Sequence, residues 1–340
     1  MRRIRLSFTP DIEVYFVDRE QALKRVEKWA EKGTRFVQMV YGPEGCGKTA
    51  WLRQSVEILR GMGFDVIYIN PLEKGFLAEV GVEEVRMRLL EILREATDEA
   101  WARAVWAAVD LARELIKAGR KKLAILADDV FQAIGLSRAS IYVKGLLGLI
   151  EYPPRSYERI VAVVATSEGL SRFEIGRHRW AELRPMWNMS REGFRELYDM
   201  IPGEKPAFED IWRISGGNPA MLARLYRNGW SFERVVDDLV REKKLDIFIA
   251  SLDSDRRRLL AEAVNDPDVL LRRGREGVEL LTKLVELNLV VDELHPRDPW
   301  FWIDVPPPER DYELGIGEIN AWQTPLHREA VKITLEKFTI

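Results

Sequence analysis

A glycine-rich segment near the amino end constrains this chain more than any other feature. Residues 42–49 read GPEGCGKT and match the pattern G-x-x-x-x-G-K-[ST] at every fixed position. A short, mostly apolar run at 35–41 precedes the segment, and a pattern typical of a helix follows at 48–60. Strand, glycine-rich loop and helix in this order form a unit whose backbone wraps around a phosphate group. The alternative, a glycine-rich turn without a ligand, does not require these flanking elements.

The spacing of the motif follows from the chemistry of phosphate binding. Glycines let the backbone turn so that several N–H groups point inward, and the positive amino end of the next helix adds to them. Lys48 then reaches the β- and γ-phosphates, and the hydroxyl of Thr49 serves as a ligand for Mg²⁺. We expect Cys46 to fill space rather than to sense redox state. The residues predicted to contact the phosphates are Pro43, Glu44, Gly45, Cys46, Gly47, Lys48, Thr49 and Ala50.

A second apolar run ends in two acids. Residues 122–127 are mostly apolar and are followed by Asp128 and Asp129. We expect Asp128 to help hold Mg²⁺ and Asp129 to polarise the attacking water. Adjacent carboxylates at the end of a strand are costly unless a cation or substrate offsets their charge. The alternative for Asp129 is to cap the following helix, and both roles are compatible.

A third apolar run, 159–165, is followed by Thr166 and Ser167. In a parallel sheet the end of this strand would lie beside the end of the phosphate-binding strand, where either hydroxyl would sense the γ-phosphate or the attacking water. A helix N-cap at Ser167 explains the same residues equally well.

The rest of the first half alternates short apolar runs with helical patterns. Residues 64–69 and 182–186 predict two more strands, and residues 82–117 predict a long helix. This alternation indicates a parallel sheet with helices on both faces.

After residue 190 the pattern becomes helical. Helices are expected to begin at Ser190, Pro206, Pro219 and Ser231, forming a small lid. Beyond residue 251, helices at 253–263 and 277–287 precede two short apolar runs, 289–291 and 301–303, which predict a two-stranded wing.

Composition excludes several classes of protein. Hydrophobic residues are 46% and charged residues 31%, so the chain can bury a core, and the net charge is only −3. The single cysteine excludes an internal disulfide, and three histidines leave little for a metal site. No apolar run approaches the roughly 20 residues that span a bilayer, and the start lacks a signal-peptide pattern. We therefore expect a soluble cytoplasmic protein without a membrane partner. A low total of 12 Asn and Gln suggests a hot environment.

Five segments together resemble the archaeal branch of the STAND and AAA+ ATPases, a group related to the NB-ARC switch ATPases and, more distantly, to archaeal origin-recognition ATPases. The resemblance covers about residues 10–340 and implies a P-loop NTPase with ATP or ADP and Mg²⁺ as cofactors. It predicts a three-layer α/β core over 1–189, a helical lid over 190–250 and a winged-helix domain over 251–340. The segments are FVDRE (16–20), GPEGCGKT (42–49), LADDV (126–130), VVATSEGLSR (163–172) and SGGNPAML (215–222).

The resemblance also implies roles for residues outside the phosphate motif. Phe16, Val17 and Arg19 would lie near the adenine, although the same segment could be an ordinary helix start. Pro219 would contact the nucleotide from the lid, and it also suits the first turn of a helix. The chain departs from conventional AAA+ proteins at two positions. Asp129 stands where a glutamate usually acts, and Pro219 stands where many lids carry an arginine. Both departures favour slow hydrolysis.

The resemblance further implies that positive side chains just after residue 166 would stabilise charge in the transition state, since arginine fingers lie in this region of AAA+ assemblies. A basic surface turn is the simpler interpretation. The candidates are Arg172, Arg177 and Arg179, with His178 as part of that surface.

The charge of residues 251–340 indicates which kind of partner this region would bind. Residues 251–340 contain 12 Lys and Arg against 18 Asp and Glu, a net charge of −6. An acidic module is a poor DNA binder unless one helix carries the basic residues, and the candidate clusters are 256–258 and 272–275. A contact with a protein partner, with another copy of the chain or within the chain is favoured. Trp300, Trp302 and Trp322 are expected to be core or interface residues.

The sequence therefore favours an ATPase that hydrolyses ATP slowly and switches domain arrangement or assembly with its nucleotide state. A DNA-associated ATPase in replication, recombination or mobile-element maintenance is the second hypothesis. A scaffold that holds ADP without turnover is the third, and a small-molecule kinase is the least favoured.

Overall fold

The computed structural model describes residues 3–71, 87, 91, 97–167, 169, 171–292, 294 and 296–338. The chain divides into two compact units, and each is assembled from several stretches of sequence. Unit 1 comprises Met1–Ile4, Glu20–Tyr41 and Lys48–Arg184, and unit 2 comprises Arg5–Arg19, Gly42–Gly47 and Pro185–Ile340. The three-domain division expected from the sequence stays a prediction.

Unit 1 is built on a five-stranded sheet with the order β4-β5-β6-β3-β7. The pairs β4–β5, β5–β6 and β3–β6 are parallel. Nearly every side chain of the inner strands is buried, because helices cover both faces. The five predicted strands are confirmed with small shifts at their ends. They are β3 (Val37–Tyr41), β4 (Asp65–Ile69), β5 (Lys122–Asp128), β6 (Arg159–Thr166) and β7 (Ala181–Pro185).

Helices lie on both sides of this sheet and confirm the predicted three-layer α/β architecture. On one face α1 (Glu20–Lys32) and α2 (Lys48–Gly61) pack against each other and against the strands. On the other face α3 (Asp98–Lys117) and α5 (Ala139–Glu151) share a core with alternate strand residues such as Ile67. Two short helices, α4 (Val130–Ile134) and α6 (Ser171–Gly176), follow β5 and β6.

The long predicted helix is confirmed over its second part. Helix α3 begins after Thr97, whose hydroxyl accepts a hydrogen bond from the Ala100 N–H at 3.1 Å. The predicted part at 82–96 lies outside the described residues, except for 87 and 91.

Unit 2 contains a hairpin, β1 (Arg5–Thr9) with β2 (Ile12–Tyr15), that the sequence analysis missed. Its helices over 190–250 confirm the predicted helical region. The helix predicted from Ser231 to about Leu245 ends at Glu242, and a separate short helix follows Lys244, which has a φ of +51°. None of the helices in the described part of the chain combines the length and apolar composition needed to cross a membrane. The five helices of this region are α7 (Arg191–Met200), α8 (Phe208–Ser215), α9 (Pro219–Arg227), α10 (Phe232–Glu242) and α11 (Leu245–Ala250).

A single apolar core joins the hairpin, the predicted lid and the C-terminal helices. It contains Val14 of β2, Phe194 of α7 and Leu281 of the C-terminal region. Side-chain caps set the first turns of several of these helices, and they include Ser190, Asn218 and Thr324. The C-terminal helices are α12 (Ser254–Asn265), α13 (Val269–Arg272), α14 (Gly274–Glu286) and α15 (Pro325–Glu336).

One predicted strand of the C-terminal region is wrong. β8 (Val290–Val291) pairs with β9 (Ala321–Trp322) rather than with residues 301–303. Trp302 is buried in a small cluster with Trp187 and Leu294, so the apolar run at 301–303 marks a packed loop and not a strand.

Two charged side chains organise the segment between β8 and β9. The Arg297 guanidinium donates to the carbonyls of residues 308, 309, 317 and 318, and Asp268 accepts from the N–H groups of residues 318–320. The expected winged-helix domain as a whole stays a prediction.

Two helical glycines provide a matched test of the close contact between α13 and α14. A Cβ at Gly277 of α14 would lie 1.9 Å from the Leu270 carbonyl oxygen, whereas one at Gly148 of α5 would meet nothing within 4 Å. We expect Gly277→Ala to lower the free energy of unfolding by about 1–3 kcal/mol because of overpacking. Gly148→Ala should raise it by about 0.5–1 kcal/mol. Urea denaturation measures both, and equal effects would contradict the described approach of α13 to α14.

Candidate functional site

The carboxyl edge of the unit 1 sheet gathers the predicted polar residues. Asp128 at the end of β5 pairs with Ala165 of β6, and Thr166 pairs with Tyr41 at the end of β3. Parallel strands place these ends at one edge of the sheet. The acid and the hydroxyl therefore lie on neighbouring strands, and β3 leads directly into the glycine-rich motif.

Asp128 is the most perturbed acid of this edge. Its Oδ2 atom accepts hydrogen bonds from the Tyr68 hydroxyl at 3.0 Å and the Asn70 amide at 2.9 Å, and the Thr49 side chain also bonds to it. Burial and the neighbouring charge of Asp129 raise the pKa of Asp128 to about 7. Tyr68 and Asn70 were missed in the sequence, although both lie at or just after the end of β4, where functional side chains of a parallel sheet collect.

The geometry around Asp128 fits a divalent cation. Its Oδ1 atom is buried and has no hydrogen-bond partner among the described residues. No group of three or more His, Cys, Asp or Glu side chains within the described ranges forms a complete metal site. Mg²⁺ is usually held by one or two protein ligands together with phosphate oxygens and water, and a single orphaned carboxylate oxygen beside Thr49 suits that mode.

Asp129 occupies the start of α4 without capping it. Its φ is +46° and its side chain makes no cap hydrogen bond, so the predicted capping role is wrong. Its N–H donates to the Ala165 carbonyl at 2.9 Å, and its Oδ1 atom accepts from the Ser167 N–H at 3.0 Å. This carboxylate is therefore held against the end of β6. Nearby, the Ser171 hydroxyl donates to the buried Thr166 hydroxyl at 3.3 Å.

The three arginines after β6 separate into two groups. Arg172 is buried and its guanidinium lies 5.3 Å from the centre of the Tyr41 ring, so it reaches the site edge. Arg177 and Arg179 are exposed, and His178 stacks on Trp180. The geometry matches the basic surface turn at 177–179, and the catalytic role expected for Arg179 stays a prediction.

In unit 2 three carbonyl groups of the loop Gly42–Gly47 accept hydrogen bonds from residues outside the loop. The Glu44 carbonyl accepts from the Asn218 amide at 2.9 Å, and the Gly45 carbonyl accepts from the Ala220 N–H at 3.3 Å. The Cys46 carbonyl accepts from Arg19 Nη2 at 2.6 Å. Gly45 and Gly47 have φ values of +74° and +102°, which glycine adopts without strain.

Arg19 contacts this loop directly. The resemblance implied a position near the adenine for Arg19 and did not predict this contact. Its guanidinium is 3% exposed and forms an ion pair with Asp304, also buried, at 3.2 Å. Asp18 and Arg19 both have left-handed backbone conformations, with φ values of 65° and 71°. The Asp18 carboxylate accepts from the N–H and the hydroxyl of Ser190, which accounts for its position. Phe16 and Val17, which precede them in the chain, are buried.

Further polar contacts on the loop come from residues that the sequence analysis missed. The Glu44 N–H donates to Gln323 Oε1 at 2.8 Å, and the Gln323 carbonyl accepts from the Asn188 amide at 2.9 Å. Asn188 in turn accepts from Asn218 at 2.8 Å. Pro219, the predicted lid contact, lies beside the loop, since a Cβ at Gly47 would be 3.9 Å from its ring.

A charged pair lies next to this network. Lys243 bonds the Glu44 carboxylate at 2.9 Å, and this positive charge contributes to lowering the pKa of Glu44 against the effect of burial. His327 is fully buried and its Nδ1 atom lies 2.8 Å from the Thr324 hydroxyl. Burial, with a smaller contribution from Lys243, lowers the pKa of His327 to about 3, so the ring is neutral.

The two arginine clusters of the C-terminal region carry local partners. Arg256 and Arg275 both bind Glu279, at 2.9 Å and 2.8 Å. The other pairs are Arg258 with Asp255, Arg272 with Asp266 and Arg273 with Glu262, whereas Arg257 donates to two backbone carbonyls.

The family comparison identifies the class of this protein. Residues 16–225, more than half of the chain, match the model of an ATPase domain found predominantly in Archaea, so the chain belongs to that family. The predicted resemblance to archaeal ATPases and the predicted ATPase activity are confirmed.

Several solved structures are similar to this chain. A Walker-type ATPase of Pyrococcus abyssi is 16% identical, with a TM-score of 0.47 and coverage of 93% of this chain and 96% of that one. The ORC2 protein of Aeropyrum pernix, in ADPNP and ADP complexes, is 14% identical with a TM-score of 0.47 and 97% coverage of both chains. Cdc6p of Pyrobaculum aerophilum is 14% identical, with a TM-score of 0.41 and coverage of 99% and 100%. No curated protein matches the chain.

The neutral buried His327 predicts a pH dependence of stability. An unfolded histidine has a pKa of about 6.5, so only the unfolded chain takes up this proton as the pH falls from 6.5 towards 3. The associated stability is present above pH 6.5 and is lost below it, by about 2 kcal/mol between pH 7 and pH 5.

Comparison with His327→Gln, which keeps a polar group beside Thr324, isolates this effect from the titration of other groups. Urea unfolding of both proteins at pH 7 and pH 5 should show the larger loss in the wild type. Equal losses would contradict a neutral His327 in the folded protein.

Proposed function

We propose that this ATPase is a nucleotide-dependent switch, in which bound ATP or ADP selects the arrangement of its helical and C-terminal regions or its assembly with a protein partner. The supporting observation is the bonding of the loop Gly42–Gly47. Its backbone contacts Asn218 from the predicted lid and Gln323 from the C-terminal region, so a phosphate that changes the loop also changes the contacts of both regions. Differential contacts of this kind are what a ligand needs to shift an equilibrium between two states.

The proposed chemistry assigns a role to each residue of the site. Lys48 binds the β- and γ-phosphates, and Thr49 with Asp128 holds Mg²⁺, which would neutralise phosphate charge when bound. Asp129 accepts the proton of the attacking water, and Thr166 orients the γ-phosphate or that water. Pro219 contacts the nucleotide and so couples it to the lid, and Phe16 and Val17 lie near the base.

Slow turnover follows from the position of Asp129. Its carboxylate already accepts a hydrogen bond from the Ser167 N–H, and its side chain is one methylene shorter than that of glutamate. A general base must reach the proton it removes within hydrogen-bond distance. A short, engaged carboxylate favours a long-lived ATP state, which suits a switch.

A protein partner is favoured over DNA. Most arginines of the two C-terminal clusters, which would bind the phosphates of DNA, form ion pairs with acidic side chains of the same region. The region also carries a net charge of −6 over residues 251–340. DNA binding would have to displace these ion pairs, and it would show as salt-dependent affinity and DNA-stimulated ATP hydrolysis.

Two substitutions separate binding from hydrolysis. Lys48→Ala should weaken ATP and ADP binding by at least about tenfold, because it removes a charge-assisted phosphate contact. Asp129→Asn should keep ADP affinity and lower kcat by about 100-fold, at the low end of the range of general base catalysis. Titration calorimetry and phosphate release measure the two effects.

Thermal unfolding of both variants checks that they remain folded. Unchanged nucleotide affinity in Lys48→Ala would refute the proposed site. ATP hydrolysis that rises on addition of duplex or single-stranded DNA would favour the DNA-associated alternative over the protein-partnered switch.

A further inference from the structure

We propose that Arg19 and Asp304 are positioning residues that set the phosphate loop from its carbonyl side. This inference rests on the proposed nucleotide site and adds the means by which the C-terminal region controls it. All of its residues belong to unit 2.

The geometry of the peptide group links each loop carbonyl to the N–H of the next residue. A trans peptide is planar, so the carbonyl of one residue and the N–H of the next point in opposite directions. When Arg19 bonds the Cys46 carbonyl, it orients the Gly47 N–H to the opposite side. The Asn218 amide does the same for the Gly45 N–H through the Glu44 carbonyl.

The N–H groups of Gly45 and Gly47 are available to a ligand. Among the described residues, no acceptor is hydrogen-bonded to the N–H of Gly45 or of Gly47, whereas the Cys46 N–H bonds the Pro43 carbonyl at 3.3 Å. Inward N–H groups of such a loop bind anions. The contacts of Arg19 and Asn218 therefore hold two N–H groups that are available to a phosphate.

Arg19 is itself held in position by its surroundings. Its backbone has a φ of +71°, a conformation that is strained for a bulky residue and persists where surrounding contacts enforce it. Its Nη1 atom bonds Asp304 at 3.2 Å and the Asn188 carbonyl at 3.4 Å, which leaves Nη2 directed at the loop. Asp304, 285 residues away in the chain, thus fixes the guanidinium that fixes the peptide.

The buried ion pair between Arg19 and Asp304 suits this positioning role. A guanidinium presents donors in a rigid fork, so one arginine can bond a carboxylate and a carbonyl at the same time. A buried pair of this kind contributes little net stability compared with apolar residues of the same volume. Apolar replacements would lose the hydrogen bond from Arg19 that orients the peptide between Cys46 and Gly47.

The test uses the charge-neutral double variant Arg19→Gln/Asp304→Asn in the full chain. We expect ADP affinity to fall about tenfold and the KM for ATP to rise in parallel, since aligned N–H contacts with phosphate are lost. The kcat should change less than about threefold, because the residues assigned to hydrolysis are untouched. The matched control is Arg256→Gln/Glu279→Gln, which removes an ion pair between α12 and α14 and should leave these values unchanged.

A second readout reports on the loop itself. Cys46 is the only cysteine of the chain and is buried, so its reaction with a thiol reagent such as DTNB measures local opening of the loop. We expect a rate at least about tenfold higher in the double variant, with thermal unfolding still cooperative. A stability loss alone would not change KM and kcat in different proportions.

The outcomes are decisive in each direction. A folded double variant with wild-type ADP affinity and wild-type Cys46 reactivity would overturn the inference. If the double variant does not fold, Asp304→Asn, which keeps the volume and an acceptor oxygen, decides by the same two readouts. Normal nucleotide binding in Lys48→Ala would refute the proposed site instead, so the two failures are distinguishable.

Discussion

The arrangement around the glycine-rich loop follows from one property of the peptide group. A backbone that turns its N–H groups towards an anion must turn its carbonyl groups the other way. Where the surrounding protein excludes water those carbonyls need donors, because an unsatisfied buried carbonyl costs free energy comparable to a lost hydrogen bond. In this chain the donors are the Asn218 amide, the Ala220 N–H and the Arg19 guanidinium.

The donors are themselves fully engaged, which limits how the loop can move. The Asn218 amide donates to Glu44 and Asn188 and its oxygen accepts from the Met221 N–H, so it caps α9 and holds the loop with one side chain. Buried polar networks that are satisfied throughout are rigid, and partial loss leaves costly unpaired groups. A change at the phosphate side is therefore expected to act on α9 as a whole rather than on one contact.

The local parts of this structure were predictable from sequence, and the long-range parts were not. The strands of unit 1, the glycine-rich motif and Asp128 follow from short apolar runs and fixed spacings, which are local signals. The contact between Arg19 and Asp304 joins residues 285 positions apart and leaves no local pattern. Tyr68 and Asn70 could have been found, because they end a predicted strand of a parallel sheet. The false strand at 301–303 shows that three apolar residues cannot distinguish a strand from a buried loop.

The composition of unit 2 from three stretches of chain has a consequence for biosynthesis. The hairpin, Arg19 and the loop Gly42–Gly47 are made early, whereas Asn218 and Gln323, which also bond the loop, are made much later. Contacts over such separations close slowly and only once both partners exist. The loop therefore cannot reach its fully bonded form on the ribosome before residue 323 has been synthesised. A nascent chain shorter than this would carry the phosphate motif in its sequence without the geometry to use it.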